Sequence, residues 1–279
     1  MILQTKHEDI IELMRELDTH LIRLFKGLSA CQWHLKTISP KWNVKDIAAH
    51  LLDGNLRTLS VLRDGYFGET PGKISSYADL VGFLDSLNAD WVNATKRLSP
   101  EVIIEWLKTS GEEYVSYLST LDSDAKATFS VAWAGENEST NRFHIAREYT
   151  EKWHHQQQIR CAVGDGLFLL QEKWFRPYLE TSLCALPHHY RTVKGREGDV
   201  ISFTFTGGVE KTWHLQYSDT WQFVDDVQAT PAGQIRIPDD VAWRIFTKGI
   251  QKEDAIQQSE ISGDPSLTRH FFDMIAIMG

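Results

Sequence analysis

The stretch WNVKDIAAHLLDGNLRTLSVLRDG, residues 42–65, is typical of a helix that packs inside a helical bundle. Asn43 is suited to cap the helix start, and Asp46 lies in the first turn, where a carboxylate favours the positive end of the helix dipole. The apolar positions of the stretch are Ile47, Leu51, Leu52, Leu59 and Leu62. Because they surround His50 on most sides, we expect this histidine to face the bundle interior.

Helical spacing extends in both directions from this stretch. Residues 7–28 repeat apolar side chains every three or four positions. Ser76 and Ser99 are candidate caps of two further helices, each with an acidic residue in the turn that follows. A longer loop at residues 122–140 precedes one more helix. Residues 1–165 are therefore predicted to form an antiparallel four-helix bundle.

The remaining residues, 166–279, are predicted to form a smaller α+β domain. After a helix at about 169–186, residues 199–208 and 211–224 alternate polar and apolar side chains, as strands do. Residues 233–249 fit a strand, a turn and a helix with Pro238 at its start, and a closing helix is expected from Asp264 onward.

Composition excludes several functional classes. Lys and Arg number 29 against 38 Asp and Glu, a net charge of −9, and the absence of a basic run disfavours nucleic-acid binding. The N-terminal residues mix charges at helical spacing, and no apolar run reaches the roughly 18 residues of a membrane span. We therefore expect a cytoplasmic protein without a membrane partner. Cys31, Cys161 and Cys184 are expected to be reduced thiols in core positions.

A second stretch, EYTEKWHHQQQIR at residues 148–160, carries adjacent histidines in a helical region. Residues three or four apart share one helix face, so His144, Glu148, Glu151 and His155 form one stripe, while His154 is expected to point elsewhere. Glu151 and His155 are candidate metal ligands. A solvated helix face or an ordinary ion pair stays open as the alternative, because spacing alone is weak evidence.

The chain itself shows how common this spacing is. Glu16 and His20 have the same separation, as do Glu210 and His214, and we identify no further candidate ligands beside either pair. A third ligand would change the weight of the pattern, since catalytic zinc sites commonly take three protein ligands from His and carboxylate. His50, facing the bundle interior, could supply it. The alternative is an ordinary hydrogen-bonded core histidine.

With these two stretches together, the sequence resembles the DinB-like superfamily of metal-binding four-helix bundles. It is most similar to the mycothiol-dependent maleylpyruvate isomerase branch, which has a histidine at the position of His50 and a Glu-x-x-x-His pair at that of Glu151 and His155. The remainder of the chain resembles, more weakly, the sterol-carrier-like α+β domain of the same branch.

The resemblance implies a divalent metal, usually zinc, held by His50, Glu151 and His155. It also implies a low-molecular-weight thiol, such as mycothiol, bacillithiol or a related compound, and an electrophilic substrate. Zinc deprotonates a coordinated thiol, which is otherwise only a few per cent thiolate at neutral pH. The function expected is thiol S-transfer or thiol-dependent cis-trans isomerisation. The oligomeric state is not fixed, and a homodimer is one option.

Other residues are weaker candidates. The resemblance implies that an arginine of the second domain binds substrate carboxylates, and Arg244, Arg236 and Arg269 are candidates that could equally be surface residues. Near the metal, Asp53 and Asn55 could orient ligands or simply lie on a solvated helix surface. His144 and Glu148 are alternative ligands if the helix register is offset.

Two other functional classes remain open at this point. The bundle could be a non-catalytic metal-binding stress-response protein with a structural metal. It could also be a metal-assisted hydrolase with Glu148 as general base. Fold alone does not decide between them, because one bundle hosts several chemistries.

Overall fold

The computed structural model describes residues 5–225, 227 and 230–277. They form two compact units. The helical unit comprises His7–Thr128 and Thr140–Gly166, and the sheet unit comprises residues 5–6, Phe129–Ser139 and Leu167–Ile277. Segment 129–139 thus groups with the sheet unit, although the predicted division assigned it to the bundle. The division of the chain at residues 165 and 166 stays a prediction.

The described part of the helical unit contains five α-helices. They are α1 (His7–Gly27), α2 (Val44–Thr58), α3 (Tyr77–Thr95), α4 (Pro100–Leu118) and α5 (Asn141–Val163). A 3-10 helix at Gln32–His34 precedes α2, and a π-helical segment at Leu59–Arg63 continues it. Helices α1 and α2 each contact both α4 and α5, and α3 packs against α2. The predicted helical bundle is confirmed.

Side-chain caps fix where the helices begin. The Asn43 side chain accepts a hydrogen bond from the Asp46 amide at 2.9 Å, and the Asp46 carboxylate accepts one from the Asn43 amide at 3.0 Å. This reciprocal pair satisfies two amides that the first helical turn leaves without partners. Ser76 caps α3 in the same way with Asp79, and Ser99 caps α4 ahead of Pro100. All three caps confirm the sequence prediction.

Helix α5 is buried on most sides. Its buried residues include apolar ones such as Ile145 and Trp153 and, unusually, the unbroken polar run from His154 to Gln158. A helix with a solvated face would instead expose its polar residues. The solvated-face alternative for the segment with adjacent histidines is therefore wrong.

The sheet unit contains the five strands of one mixed sheet and short helices around them. The strands are β1 (Val200–Thr206), β2 (Lys211–Ser218), β3 (Thr220–Val224), β4 (Gly233–Pro238) and β5 (Glu260–Gly263), in the order β3-β2-β1-β4-β5. Strands β1 and β4 are parallel, and the other pairs are antiparallel. The helices are α6 (Glu172–Leu183), α7 (Leu186–His189), α8 (Asp239–Phe246), α9 (Lys252–Gln257) and α10 (Pro265–Thr268).

The core of the sheet unit follows from strand alternation. Phe203 and Phe205 of β1 lie on the buried face beside Ile235 and Ile237 of the parallel strand β4. Trp243 of α8 is likewise fully buried. Pro238 immediately precedes α8, as predicted, and its fixed backbone angle suits a helix start. The predicted α+β character of this part of the chain is confirmed.

Two details differ from the sequence prediction. The expected closing helix is short: after β5 the chain turns at Gly263, whose φ is 86°, and α10 is followed only by a 3-10 segment, Arg269–Asp273. Cys31, expected in the core, is exposed. Among the helices that the structure describes, none is long and apolar enough to cross a membrane.

Candidate metal centre

Helix α5 brings three potential ligand residues together. One ligand atom from each of Glu151, His154 and His155 lies within 4.8 Å of the other two. Glu151 Oε2 lies 3.7 Å from His155 Nε2. Donor atoms bound to one tetrahedral zinc at about 2.0–2.1 Å lie roughly 3.3 Å apart. The Glu151 and His155 atoms therefore need to move only slightly to share a metal ion.

His154 is closer to this pair than the sequence predicts. Successive residues on a helix diverge by about 100°, but the rings of His154 and His155 approach to 3.9 Å between centroids. Side-chain torsions bring the two rings together although their Cβ atoms point apart, and spacing does not encode those torsions. The expectation that His154 points elsewhere is wrong.

His50 of α2 lies beside His155. Their ring centroids are 4.6 Å apart, and the ring of Trp42 lies 4.7 Å from that of His50. The buried Nδ1 of His50 has no hydrogen-bond partner among the described residues. The alternative of an ordinary core histidine with its polar atoms satisfied does not describe this residue, since an orphaned buried ring nitrogen is unfavourable.

Hydrogen bonds fix the tautomers of two rings. His155 Nδ1 donates to Gln158 Oε1 at 3.0 Å, and His154 Nδ1 donates to the Thr150 carbonyl at 3.1 Å. In a neutral imidazole with a protonated Nδ1, Nε2 carries the free lone pair. The Nε2 atom of His155, which faces Glu151, is thus the atom available to a metal. The His154 atom nearest Glu151 is Nδ1, at 4.0 Å, and it is already committed to Thr150.

Burial sets the charges of the cluster. It lowers the pKa of His50 and His155 well below the usual 6.5 and that of His154 to about 4, so all three rings are neutral at neutral pH. Burial also raises the pKa of the Glu151 carboxyl to about 7, although the positive charges of Arg147 and Arg57 oppose the rise. Neutral imidazoles beside a carboxyl group form a donor set suited to a divalent cation.

The two residues predicted beside the metal have different surroundings. Asp53 lies one turn after His50, where burial raises the pKa of its carboxyl, and Arg57 Nη2 is 3.5 Å from its Oδ2. Asn55 belongs instead to a buried network, in which its Oδ1 accepts from Lys152 Nζ at 3.0 Å and its Nδ2 donates to Ser110. The part of Asp53 beside the metal stays a prediction, and the contacts of Asn55 join helices.

The alternative pair, His144 and Glu148, is engaged by other residues. Glu148 contacts Arg147 closely and accepts a hydrogen bond from Tyr114 at 2.7 Å. Burial raises the pKa of Glu148, but the charges of Arg147 and His144 and the bond from Tyr114 outweigh it and lower that pKa to about 2. His144 Nδ1 is 3.1 Å from Arg147 Nη2. A cation would compete here with the guanidinium, so this pair is the weaker candidate.

The arginines expected to bind substrate carboxylates lie on three elements of the sheet unit. Arg244, on α8, forms an ion pair with Asp240 at 2.5 Å. Arg236, on β4, is exposed and lies opposite Glu260 of β5, and Arg269 is exposed at the start of the last 3-10 segment. Their part in substrate binding stays a prediction.

Sequence reasoning missed Gln158, Arg147 and Arg57. Each lies at helical spacing from a predicted ligand: Gln158 three residues after His155, Arg147 four before Glu151, and Arg57 seven after His50. Counting in both directions along the helix face from each predicted ligand would have found them.

Comparisons with known proteins bear on this helical unit directly. The family model described as "Mycothiol maleylpyruvate isomerase N-terminal domain" matches residues 14–160, a span that contains His50, Glu151 and His155. No curated protein matches the chain.

Two solved structures share the fold. The crystal structure of a histidine-to-alanine mutant of the mycothiol-dependent maleylpyruvate isomerase matches with a TM-score of 0.57 and 10% identity, over 94% of this chain and 95% of that chain. Another crystal structure of that isomerase matches with a TM-score of 0.54 and 11% identity, over 88% and 90%. The family model spans more than half of the residues, and the chain accordingly belongs to the mycothiol maleylpyruvate isomerase N-terminal domain family.

Proposed function

We propose that the chain is a divalent-metal-dependent enzyme that uses a low-molecular-weight thiol for cis-trans isomerisation or S-transfer, with His50, Glu151 and His155 as metal ligands. The observation that carries this proposal is the approach of His155 Nε2 to Glu151 Oε2 at 3.7 Å, with the His50 ring 4.6 Å from the His155 ring. The three residues come from two helices of a domain whose family is named for a thiol-dependent isomerase.

The donor set fits zinc. It combines two neutral imidazoles with one carboxylate and leaves a fourth position for an exogenous ligand, as catalytic zinc sites do. The unpartnered Nδ1 of His50 would gain a partner in a metal ion, since nothing else in the described structure satisfies it. When bound, zinc would lower the pKa of a coordinated thiol and so supply the thiolate that isomerisation or S-transfer needs.

The chain's own residues prepare the site for this chemistry. Gln158 accepts the Nδ1 proton of His155 and so presents Nε2 to the metal. Burial keeps the imidazoles unprotonated and limits access of water. His154 Nδ1, the atom nearest Glu151, donates to the Thr150 carbonyl and is therefore not free to bind a metal.

The hydrolase alternative is disfavoured by the state of Glu148. A general base works best with a pKa near the operating pH, and the pKa of Glu148 is lowered to about 2 by Arg147, His144 and Tyr114 against the effect of burial. Glu148 is therefore a poor base at neutral pH.

Metal content per chain tests the ligand set. Protein purified without a histidine tag is offered zinc, and bound metal is measured for the wild type and for His50→Ala, Glu151→Ala and His155→Ala. We expect one equivalent in the wild type and its loss in each variant. His34→Ala, which removes an exposed histidine of the same unit, is the control. His154→Ala is measured in addition. If this variant loses the metal and His50→Ala keeps it, the assignment of His50 as a ligand is wrong.

Turnover tests the chemistry. The zinc-loaded chain is incubated with mycothiol, bacillithiol or glutathione and with either maleylpyruvate or an aryl chloride as the electrophile. We expect thiol-dependent and zinc-dependent conversion of one electrophile. A chain that binds zinc but neither binds nor turns over any thiol would favour the non-catalytic alternative.

A further inference from the structure

Two arginines beside the candidate metal centre have buried N–H groups for which the described residues supply no hydrogen-bond acceptor. These are Nη1 of Arg57, on α2, and Nε of Arg147, on α5. A buried N–H without an acceptor is unfavourable, and more so on a cation. An acceptor from outside the chain would satisfy these groups.

Arg57 lies on the His50 face of α2. It follows Asp53 by four residues and His50 by seven, so the three side chains form a row along the helix. Its contacts are long: Nη2 is 3.5 Å from Asp53 Oδ2 and 3.4 Å from Asn88 Oδ1. Only Nη2 takes part in these contacts. The guanidinium is thus held loosely from one side, and its Nη1 edge is left for another partner.

Arg147 lies one turn before Glu151 on α5. Its close contact with Glu148 and its approach to His144 Nδ1 at 3.1 Å both involve Nη2. The side chain is only 16% exposed. Glu148 therefore compensates the charge of Arg147 but leaves its Nε–H without an acceptor.

The two arginines lie on the two helices that supply the predicted ligands, Arg57 on α2 with His50 and Arg147 on α5 with Glu151. Both favour the ionised form of Glu151 electrostatically and so lower its pKa against the effect of burial. Arg57 also acts on His50, which contacts His155. Both arginines therefore lie on the helices, and at the helical spacings, of the predicted ligands His50 and Glu151.

We propose that Arg57 and Arg147 form an anion-binding subsite beside the metal centre that binds a carboxylate group of the substrate. Guanidinium is the side-chain group best suited to a carboxylate, because its planar N–H donors match the two oxygens. The inference rests on the proposed function for its assignment to the substrate. It differs from the expectation that Arg244, Arg236 or Arg269 binds the carboxylate, since both residues belong to the helical unit.

Calorimetric titration with maleate, a small cis dicarboxylate, tests the subsite on the full chain. The zinc-loaded and the chelator-treated wild type are compared with Arg57→Gln and Arg147→Gln. We expect each substitution to weaken maleate binding about tenfold or more. Dimethyl maleate, which lacks the charge, is expected not to bind.

Two matched controls are available on the same elements. Arg63→Gln lies in the π-helical segment that continues α2, and Arg142→Gln lies on α5. Both native side chains are at least 40% exposed and pair with acidic residues. These variants are expected to bind maleate within about twofold of the wild type, since surface pairs contribute little.

The ion pair between Arg147 and Glu148 calls for a double variant as a control. Arg147→Gln leaves the buried Glu148 without its cation and could unfold the bundle. The double substitution of Arg147→Gln with Glu148→Gln removes both charges, and its melting temperature shows whether the fold is intact. A folded double variant that binds maleate as tightly as the wild type would contradict the subsite.

The outcomes separate this inference from the proposed function. Maleate binding that is absent from the wild type, or unchanged in Arg57→Gln and Arg147→Gln with zinc bound, overturns the subsite and leaves the metal chemistry standing. Arginine-dependent binding of maleate by a chain that takes no zinc supports the subsite and removes the metal-dependent function.

Discussion

At the scale of single residues, Gln158 decides which nitrogen of His155 is available to a metal. Its Oε1 accepts the Nδ1 proton, so Nε2 keeps its lone pair. Gln158→Met keeps the size of the side chain and removes the acceptor. We predict a 10- to 100-fold loss of zinc affinity, the usual effect of removing such an outer partner, measured by competition with a chromophoric chelator.

The neighbouring glutamine supplies the control for this prediction. Gln157 donates to the Gly166 carbonyl at 2.7 Å and lies one position away, so Gln157→Met should leave zinc affinity nearly unchanged. Gln158→Glu retains an acceptor and should keep or strengthen binding. Equal affinities for Gln158→Met and the wild type would mean that His155 is not a ligand through Nε2.

The residue scale also shows where sequence reasoning ends. Spacing predicted that Glu151 and His155 share a helix face, and the structure has their side chains adjacent. The position of the His154 ring depends on its side-chain torsions. The length of the contact between Arg57 and Asn88 depends on the distance between α2 and α3. Neither quantity is encoded by the positions of residues along one helix.

At the scale of elements, the reciprocal cap at Asn43 and Asp46 defines the start of α2 and hence the position of His50. Asn43→Ala removes the side-chain acceptor for the Asp46 amide. We predict a loss of about 1 kcal/mol in the free energy of unfolding, measured by urea denaturation. The exposed Asn93, in the last turn of α3, is the comparison: Asn93→Ala should cause no loss, because alanine has the higher helix propensity.

A reciprocal histidine pair joins two elements of the sheet unit. His189 Nε2 donates to the His270 carbonyl at 2.7 Å, His270 Nε2 donates to the His189 carbonyl at 3.0 Å, and the rings stack at 4.2 Å. Burial lowers the pKa of His189 from 6.5 to about 4. The bond to the His270 carbonyl and the charge of Asp273 oppose the shift, and the charges of His270 and Arg191 add to it.

This pair predicts an acid-sensitive contribution to stability. The folded pKa of His189 lies below the unfolded one, so the contribution is complete above about pH 6.5 and is lost as the pH falls towards 4. We predict that it amounts to about 1–3 kcal/mol. His189→Gln, which can still donate to the His270 carbonyl, should lose less stability than the wild type between pH 6.5 and 4 in denaturation experiments. Parallel curves for the two proteins would contradict the assignment.

Elements were predicted from the sequence to different degrees. Asn43, Ser76 and Ser99 mark helix starts because each satisfies local backbone amides, which is information carried by a few adjacent residues. Strand β5, which the sequence did not predict, has a non-local cause, since Glu260–Gly263 pairs with β4. The π-helical segment at Leu59–Arg63 likewise has no local signal that we recognise.

At the scale of the whole helical unit, a buried polar network joins the four helices α1, α2, α4 and α5. Lys152 of α5 donates to both Asp18 oxygens of α1, at 2.9 and 3.0 Å, and to Asn55 of α2 at 3.0 Å. Its Nζ also lies 4.8 Å from the Tyr114 ring centroid of α4. One cation on α5 thus contacts three other helices and holds α5 in register with α2, which carries His50.

Removing this cation should destabilise the bundle more than a surface substitution would. Lys152→Met leaves Asp18 and Asn55 without their shared donor. We predict a loss of about 2–4 kcal/mol in the free energy of unfolding. This is somewhat below the usual value for a buried pair because Asp18 is 22% exposed. The double substitution of Lys152→Met with Asp18→Leu should recover part of the loss, since it removes both charges. Urea denaturation gives both values, and zinc titration of the double variant separates stability from function. If the double variant regains stability but binds zinc more weakly than the wild type, the network also sets the spacing of His50 and Glu151. If it regains stability and binds zinc as the wild type does, the network serves only to hold the helices together.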